Sequence, residues 1–207
     1  MKKIVYLIAT LWLSSASAGS YDDFFMAIIR DDASAVQALL ERGFDANSLD
    51  PKGQPAANLA IQRDSARAFE ALVAVPSLDV NLLNASGESA LMLAAIKGQL
   101  GWSERLLQRG ARVNQPGWSP LHYAASGPNP RIVELLLARG AAVDARSPNG
   151  STPLMLAARY GSEESVRLLL AHGADAKPRN ERDLDAADFA RAGGRTALAE
   201  QLQQRTR

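Results

Sequence analysis

Few residues of this 207-residue chain are of the types that do chemistry. It has two histidines, His122 and His172, and no cysteine, which removes disulfides, thiolate metal sites and a cysteine nucleophile. His122 is a candidate general base, since an imidazole titrates near neutral pH. His172 falls at the end of a helical pattern, where it can meet the terminal carbonyls. The acidic pairs Asp22-Asp23, Asp31-Asp32 and Glu163-Glu164 fall at or near predicted helix starts, where the helix dipole favours negative charge, so they read as caps before they read as acid/base pairs. No H-E-x-x-H, G-x-S-x-G or phosphate-binding glycine loop is present, and Gly193-Gly194 reads as a turn. Neither a catalytic constellation, a cofactor site nor a metal site is expected.

The elements that must position these residues follow a ruler. Gly117-Trp118-Ser119-Pro120-Leu121-His122-Tyr123-Ala124-Ala125 begins a unit that starts again 33 residues on, as Gly150-Ser151-Thr152-Pro153-Leu154-Met155-Leu156-Ala157-Ala158. A fixed period of this kind marks a repeat array. One glycine opens each unit and another closes its second helix 23 residues later, at Gly117 and Gly140 and again at Gly150 and Gly173. Gly87 and Gly110 keep that spacing around Ser89 to Ala95. Gly53 opens a more divergent unit with an insertion around Pro76. Ser20 and Asp183 fall on the ruler as the openings of a degenerate first unit and a truncated last one. The predicted units are 20–52, 53–86, 87–116, 117–149, 150–182 and 183–207, in one domain spanning 19–207.

Within a unit, Thr152 can cap the free amides at a helix start, and Pro153 suits the first helical position because its missing N–H was not needed there. Leu-x-x-Ala-Ala turns a small-residue face inward, Gly161 ends the first helix, and Val166, Leu169 and Leu170 form the buried stripe of the second. Gly173 ends that helix in a left-handed conformation. No unit can bury its apolar face alone, so neighbours must stack into an all-α repeat solenoid of helix-turn-helix units with hairpin-like connections, the end units acting as caps.

Residues 1–18 read differently. Lys2 and Lys3 precede an apolar run from Ile4 to Leu13 and a small-residue Ala16-Ser17-Ala18 site, the pattern of a cleaved secretory signal peptide. The run is too short to span a bilayer. Removing Lys2 and Lys3 from 23 basic residues set against 22 acidic ones takes the formal net charge from +1 to −1, so the remaining body offers no general attraction for nucleic acid. The start looks bacterial. The expected address is the periplasm, with secretion as the alternative and no stable membrane insertion after cleavage.

The units are similar to ankyrin repeats, on Ser119-Pro120-Leu121-His122 with Ala124-Ala125, Thr152-Pro153-Leu154 with Ala157-Ala158, and Gly173-Ala174-Asp175. Two departures stand out: the connector Asn114 to Gly117 is three residues shorter than the next one, and Pro128 stands where the glycine after the fourth first-helix belongs. The resemblance implies that His122 is structural, bonding neighbouring backbone. It also implies a non-catalytic module that holds another protein on its fingers and first helices. Carried onto this sequence, the variable positions fall on Lys52, Gln54, Gln62 and Arg63, on Glu88, Ile96 and Lys97, and on Trp118, Arg159 and Tyr160. Trp118, Arg159 and Tyr160 are of the types that dominate interface hot spots, and they are expected at the centre of the face. The competing expectation is that Trp118 packs on the short connector and Tyr160 covers the adjoining unit. A monomeric accessory or scaffold protein is therefore expected. The alternatives are a binder of a small ligand or cell-wall fragment, an exported effector, and, least favoured by the sequence, an enzyme.

Overall fold

The ruler becomes six helix pairs. The computed structural model describes residues 19–206, and the predicted signal peptide lies outside the described residues. The helices are α1 (19–29), α2 (Ala33–Glu41), α3 (Ala56–Gln62), α4 (Ala66–Val73), α5 (Ala90–Ile96), α6 (Leu100–Gln108), α7 (Pro120–Ser126), α8 (Pro130–Ala138), α9 (Pro153–Tyr160), α10 (Glu163–Ala171), α11 (Ala186–Ala192) and α12 (Thr196–Thr206). The fold class is the expected all-α repeat solenoid. Among the described residues the extended pairing is confined to an isolated bridge, Leu49 with Pro55, in one finger.

Backbone contacts divide the chain into two compact units, one ending at Gly87 and the other running Glu88–Arg207. In the first, Tyr21, Phe24, Phe25 and Phe44 form an aromatic cluster, with Phe24 fully buried and its ring 4.4 Å from that of Phe44. Asp32 caps α2 as predicted, its Oδ1 accepting from the Ala35 amide. Its neighbour Asp31 does something else. With φ at +54° it points to the next pair, where Oδ1 accepts from the Ala68 amide at 2.8 Å and Oδ2 pairs with Arg67 Nε at 3.2 Å. It therefore caps α4, whose own Ser65 makes no side-chain cap bond. Sequence order alone assigned Asp31 to the nearest helix; a left-handed turn redirects it.

In the second unit the first helices α5, α7, α9 and α11 lie side by side, while the second helices α6, α8 and α10 touch one another far less. The closer approach follows from the small residues Ala94, Ala95, Ala124, Ala125, Ala157 and Ala158, all buried. Helices that face each other with methyl groups can come nearer than those that interpose leucines. The row of first helices is accordingly the inner side of this unit.

Gly161 shows how tight that side is. Its backbone is extended, so it needs no left-handed freedom, but a Cβ there would sit 2.1 Å from the Ala125 carbonyl oxygen. In the preceding pair Gly127 serves as the same kind of cap, and α7 stops one residue earlier than α9 because Pro128 stands in the following position. At the other end of the array Asp183 adopts φ +59°, the left-handed turn that Gly53, Gly87, Gly117 and Gly150 adopt in the earlier units. Arg195 closes the end of α9: its Nη1 donates to the carbonyls of Ala157, Ala158 and Gly161 at 3.0 to 3.2 Å. Carbonyls at a helix terminus lack the full set of partners that those inside it have. The last helix pair thus packs onto α9 through α11 and Arg195, while α12 leaves a groove of about 670 Å³ against α10.

Candidate functional site

The histidine that invited a catalytic reading is fully buried at the third position of α7. Its Nδ1 accepts from the Ser119 amide at 3.2 Å and lies 2.8 Å from Ser119 Oγ, and its Nε2 lies 3.1 Å from the Ser151 carbonyl. Nδ1 as acceptor fixes the proton on Nε2, which donates to that carbonyl. Burial holds the imidazole below its ordinary value of 6.5, against the opposing pull of the Ser151 and Ala145 carbonyls. Both nitrogens are engaged in a neutral ring, and no lone pair faces solvent. The neighbouring units settle the role. At the same position Met92 Sδ accepts from the Ser89 amide and Met155 Sδ from the Thr152 amide, both at 3.4 Å, and Asp188 Oδ2 accepts from the Asp185 amide at 3.1 Å. Sulfur, imidazole and carboxylate all serve there as the acceptor at a helix start, and the imidazole adds through Nε2 a bond to the next repeat. His172, at the end of α10, bonds the Leu168 carbonyl through Nδ1 at 2.9 Å, as its position predicted.

Beside His122 the inner side opens into a cleft of about 230 Å³, lined by Ile96, Trp118, His122, Tyr123, Ser126 and Leu156. Trp118 is half-buried and meets His122 edge-on, ring centroids 5.3 Å apart at 80°. Its carbonyl is held by Gln115 Nε2 at 2.9 Å, so the short connector fixes the backbone while the indole forms a wall of the cleft. The indole thus packs on His122 and leaves part of its ring at the cleft. The polar groups around the cleft are satisfied internally. Tyr123 donates its hydroxyl to Glu88 Oε1 at 2.9 Å, and Ser126 Oγ donates to the His122 carbonyl at 3.1 Å. Burial first, and the Glu88 carboxylate second, raise the Tyr123 hydroxyl well above its ordinary value, so it stays a neutral donor. What faces the cleft is predominantly carbon.

Of the residues singled out in the sequence, Ile96 and Trp118 come together in this cleft, and Glu88 supports it from beneath Tyr123. Lys97 is the half-buried C-cap of α5. Arg159 and Tyr160 end α9, with the guanidinium 5.0 Å over the phenol ring, and Tyr160 is 59% exposed. Tyr160 follows Leu156 by one helical turn and so shares its face. Gln62 and Arg63, at the end of α3, belong to the other compact unit, as do Lys52 and Gln54. Tyr123 and Leu156 went unselected. They occupy equivalent positions one period apart, where the third unit has Leu93, and a tyrosine in a leucine register was the available signal. Among the described residues no three of His, Cys, Asp and Glu gather as a metal-holding group, and no helix is long and apolar enough to cross a membrane.

The comparisons agree with this architecture. The family described as ankyrin repeats, in three copies, matches residues 24–117 and 104–180. The neurogenic locus notch homolog protein 4 of Homo sapiens is 46% identical over 94 residues, 44% of this chain and 5% of that protein. The B-cell lymphoma 3 protein homolog of Mus musculus is 33% identical over 162 residues, 75% of this chain and 36% of that protein. The chain thus spans about a third or less of the length of these relatives. Among solved structures, a chain in the complex of a predatory endopeptidase from Bdellovibrio bacteriovorus with an immunity protein superposes with a TM-score of 0.75 at 25% identity, covering 88% of this chain and 97% of that one.

Proposed function

The chain belongs to the ankyrin-repeat family, and from that premise we propose that it is a non-catalytic accessory or scaffold protein of the bacterial periplasm that holds another protein on the inner side of its Glu88–Arg207 unit. Ankyrin repeats generally mediate protein–protein interaction. The observation that carries the reading is the carbon-lined cleft between α5, α7 and α9, with an exposed tyrosine and arginine one turn away on α9. Solvent-facing Trp, Tyr and Arg around a desolvated pocket are the usual anatomy of an interface centre. The cleft lies below the roughly 300–1,000 Å³ of small-molecule sites and offers few convergent polar groups, which disfavours a sugar–peptide fragment of the cell wall as its occupant.

Export is the second part of the proposal and rests on the signal pattern of residues 1–18. The neighbouring complex adds a partner class. Its two proteins are an endopeptidase and an immunity protein, so an exported peptidase is the first partner to offer this chain. The test is affinity capture from the envelope fraction with the purified protein, repeated with a Trp118→Ala/Tyr160→Ala variant. One partner held by the original and lost by the variant, with helical content unchanged, supports the reading. A partner held equally by both removes this face from the interaction. N-terminal sequencing of the periplasmic form should begin at Gly19, and a cytoplasmic protein that starts at Met1 would remove the export part.

A further inference from the structure

Resting on the reading that this side holds a protein, we infer that the cleft takes a single bulky apolar side chain of the partner, with an acidic residue close by in the partner's chain that pairs with Arg159. The volume, about 230 Å³, accommodates a leucine-, methionine- or phenylalanine-sized group. The lining asks for carbon: Ile96 and Leu156 have no polar side-chain atom, and the hydroxyls of Tyr123 and Ser126 are committed to Glu88 and to the His122 carbonyl. A polar group placed there would lose its water without gaining a partner, which is costly.

The charges around the cleft supply the second half. At its finger end Glu88 accepts from the Tyr123 hydroxyl. At the helix-end side stand Lys97, the half-buried C-cap of α5, and Arg159 on α9. Arg195 also lies at that end, its Nη1 donating to the α9 carbonyls. Arg159 is exposed, its guanidinium lies over Tyr160, and among the described residues no carboxylate comes within ion-pair distance of it. The guanidinium presents a planar fork of donors that matches a carboxylate. Leu156 and Arg159 are three residues apart on one helix, about 5 Å along its axis, so an acid reaching Arg159 sits within four residues of the anchor in either an extended or a helical segment.

The test is selection of displayed random 12-residue peptides on the purified protein, followed by binding measurements on the enriched sequences. The expected result is a shared bulky apolar residue with Asp or Glu within four positions, a tenfold or greater loss when either becomes alanine, and a preference for Lys or Arg at the acidic position in selections on Arg159→Glu. Arg159 and Ile96 are exposed, so Arg159→Glu and Ile96→Lys keep the fold, which circular dichroism verifies. Enriched peptides without an apolar–acidic pair, or with equal affinity for both variants, overturn the inference and leave the protein-binding reading to be judged by the capture experiment. Failure of that capture, together with a thermal shift by muropeptides that Ile96→Lys abolishes, overturns both.

Discussion

His122 holds its shape by staying uncharged, and that makes it the residue through which acid reaches the fold. Its folded pKa lies below the unfolded value of 6.5, so the unfolded chain takes up the proton first, and the native state loses stability as pH falls below that value. The melting temperature should therefore drop between pH 7.5 and 5.5. His122→Met, which copies Met92 and Met155, should flatten that drop. At pH 7.5 the variant should cost about 1 kcal/mol, because the bond to the Ser151 carbonyl is gone. An unaltered pH profile in the variant would show that another group sets it. Asp31 does not confuse the reading. Burial raises its pKa, but the bonds from Ala68 and Arg67 outweigh that and hold it below 3.8, so its contribution is present above that value and is lost only in stronger acid. His122 was legible as structural from its place in the motif. The capping role of Asp31 was not, because it depends on a left-handed turn that carries the carboxylate across to another helix pair.

At the scale of the helix, the array tolerates a new methyl group where there is room and not where two backbones meet. Gly161→Ala should destabilise by about 1–3 kcal/mol, since the Cβ would meet the Ala125 carbonyl oxygen and neither backbone can yield cheaply. Gly101→Ala, in the first turn of α6 with no atom within 4 Å of its Cβ, should be neutral or gain up to about 1 kcal/mol. Parallel thermal melts of the two variants check both signs, and equal shifts would contradict the account of close approach. Arg195→Met should loosen the end of α9 that carries Arg159 and Tyr160, seen as faster amide exchange over the turn from Ala157 to Gly161. The glycine ruler made the repeat legible, and its step from Gly150 to Asp183 falls on a residue that shares the left-handed turn. The cleft was only half legible. Its walls come from three units, and the positions of Tyr123 and Leu156 beside Ile96 follow from packing between helices that no single unit's sequence displays.

For the whole chain, the ends carry a different load from its middle. Deleting 183–207 should cause aggregation, but the surface laid bare is the inner-side helix α9, which α11 and Arg195 cover, more than the second helix α10 that sequence order had suggested. A truncated protein that stays monomeric with an unchanged melting temperature would show that the last pair is no cap. The absence of cysteine leaves packing and hydrogen bonds to stabilise the fold. The cleft is carbon-lined, bounded by aromatic and cationic groups, and set on the first helices, where the pairs pack most closely. Photo-cross-linking tests most directly the side on which a partner sits, with a photoreactive amino acid placed in turn at Ile96, at Tyr160 and, on the outer helix α8, at the exposed Glu134. Adducts with one partner protein from Ile96 and Tyr160 but not from Glu134 are the predicted result, and adducts from Glu134 alone would contradict it.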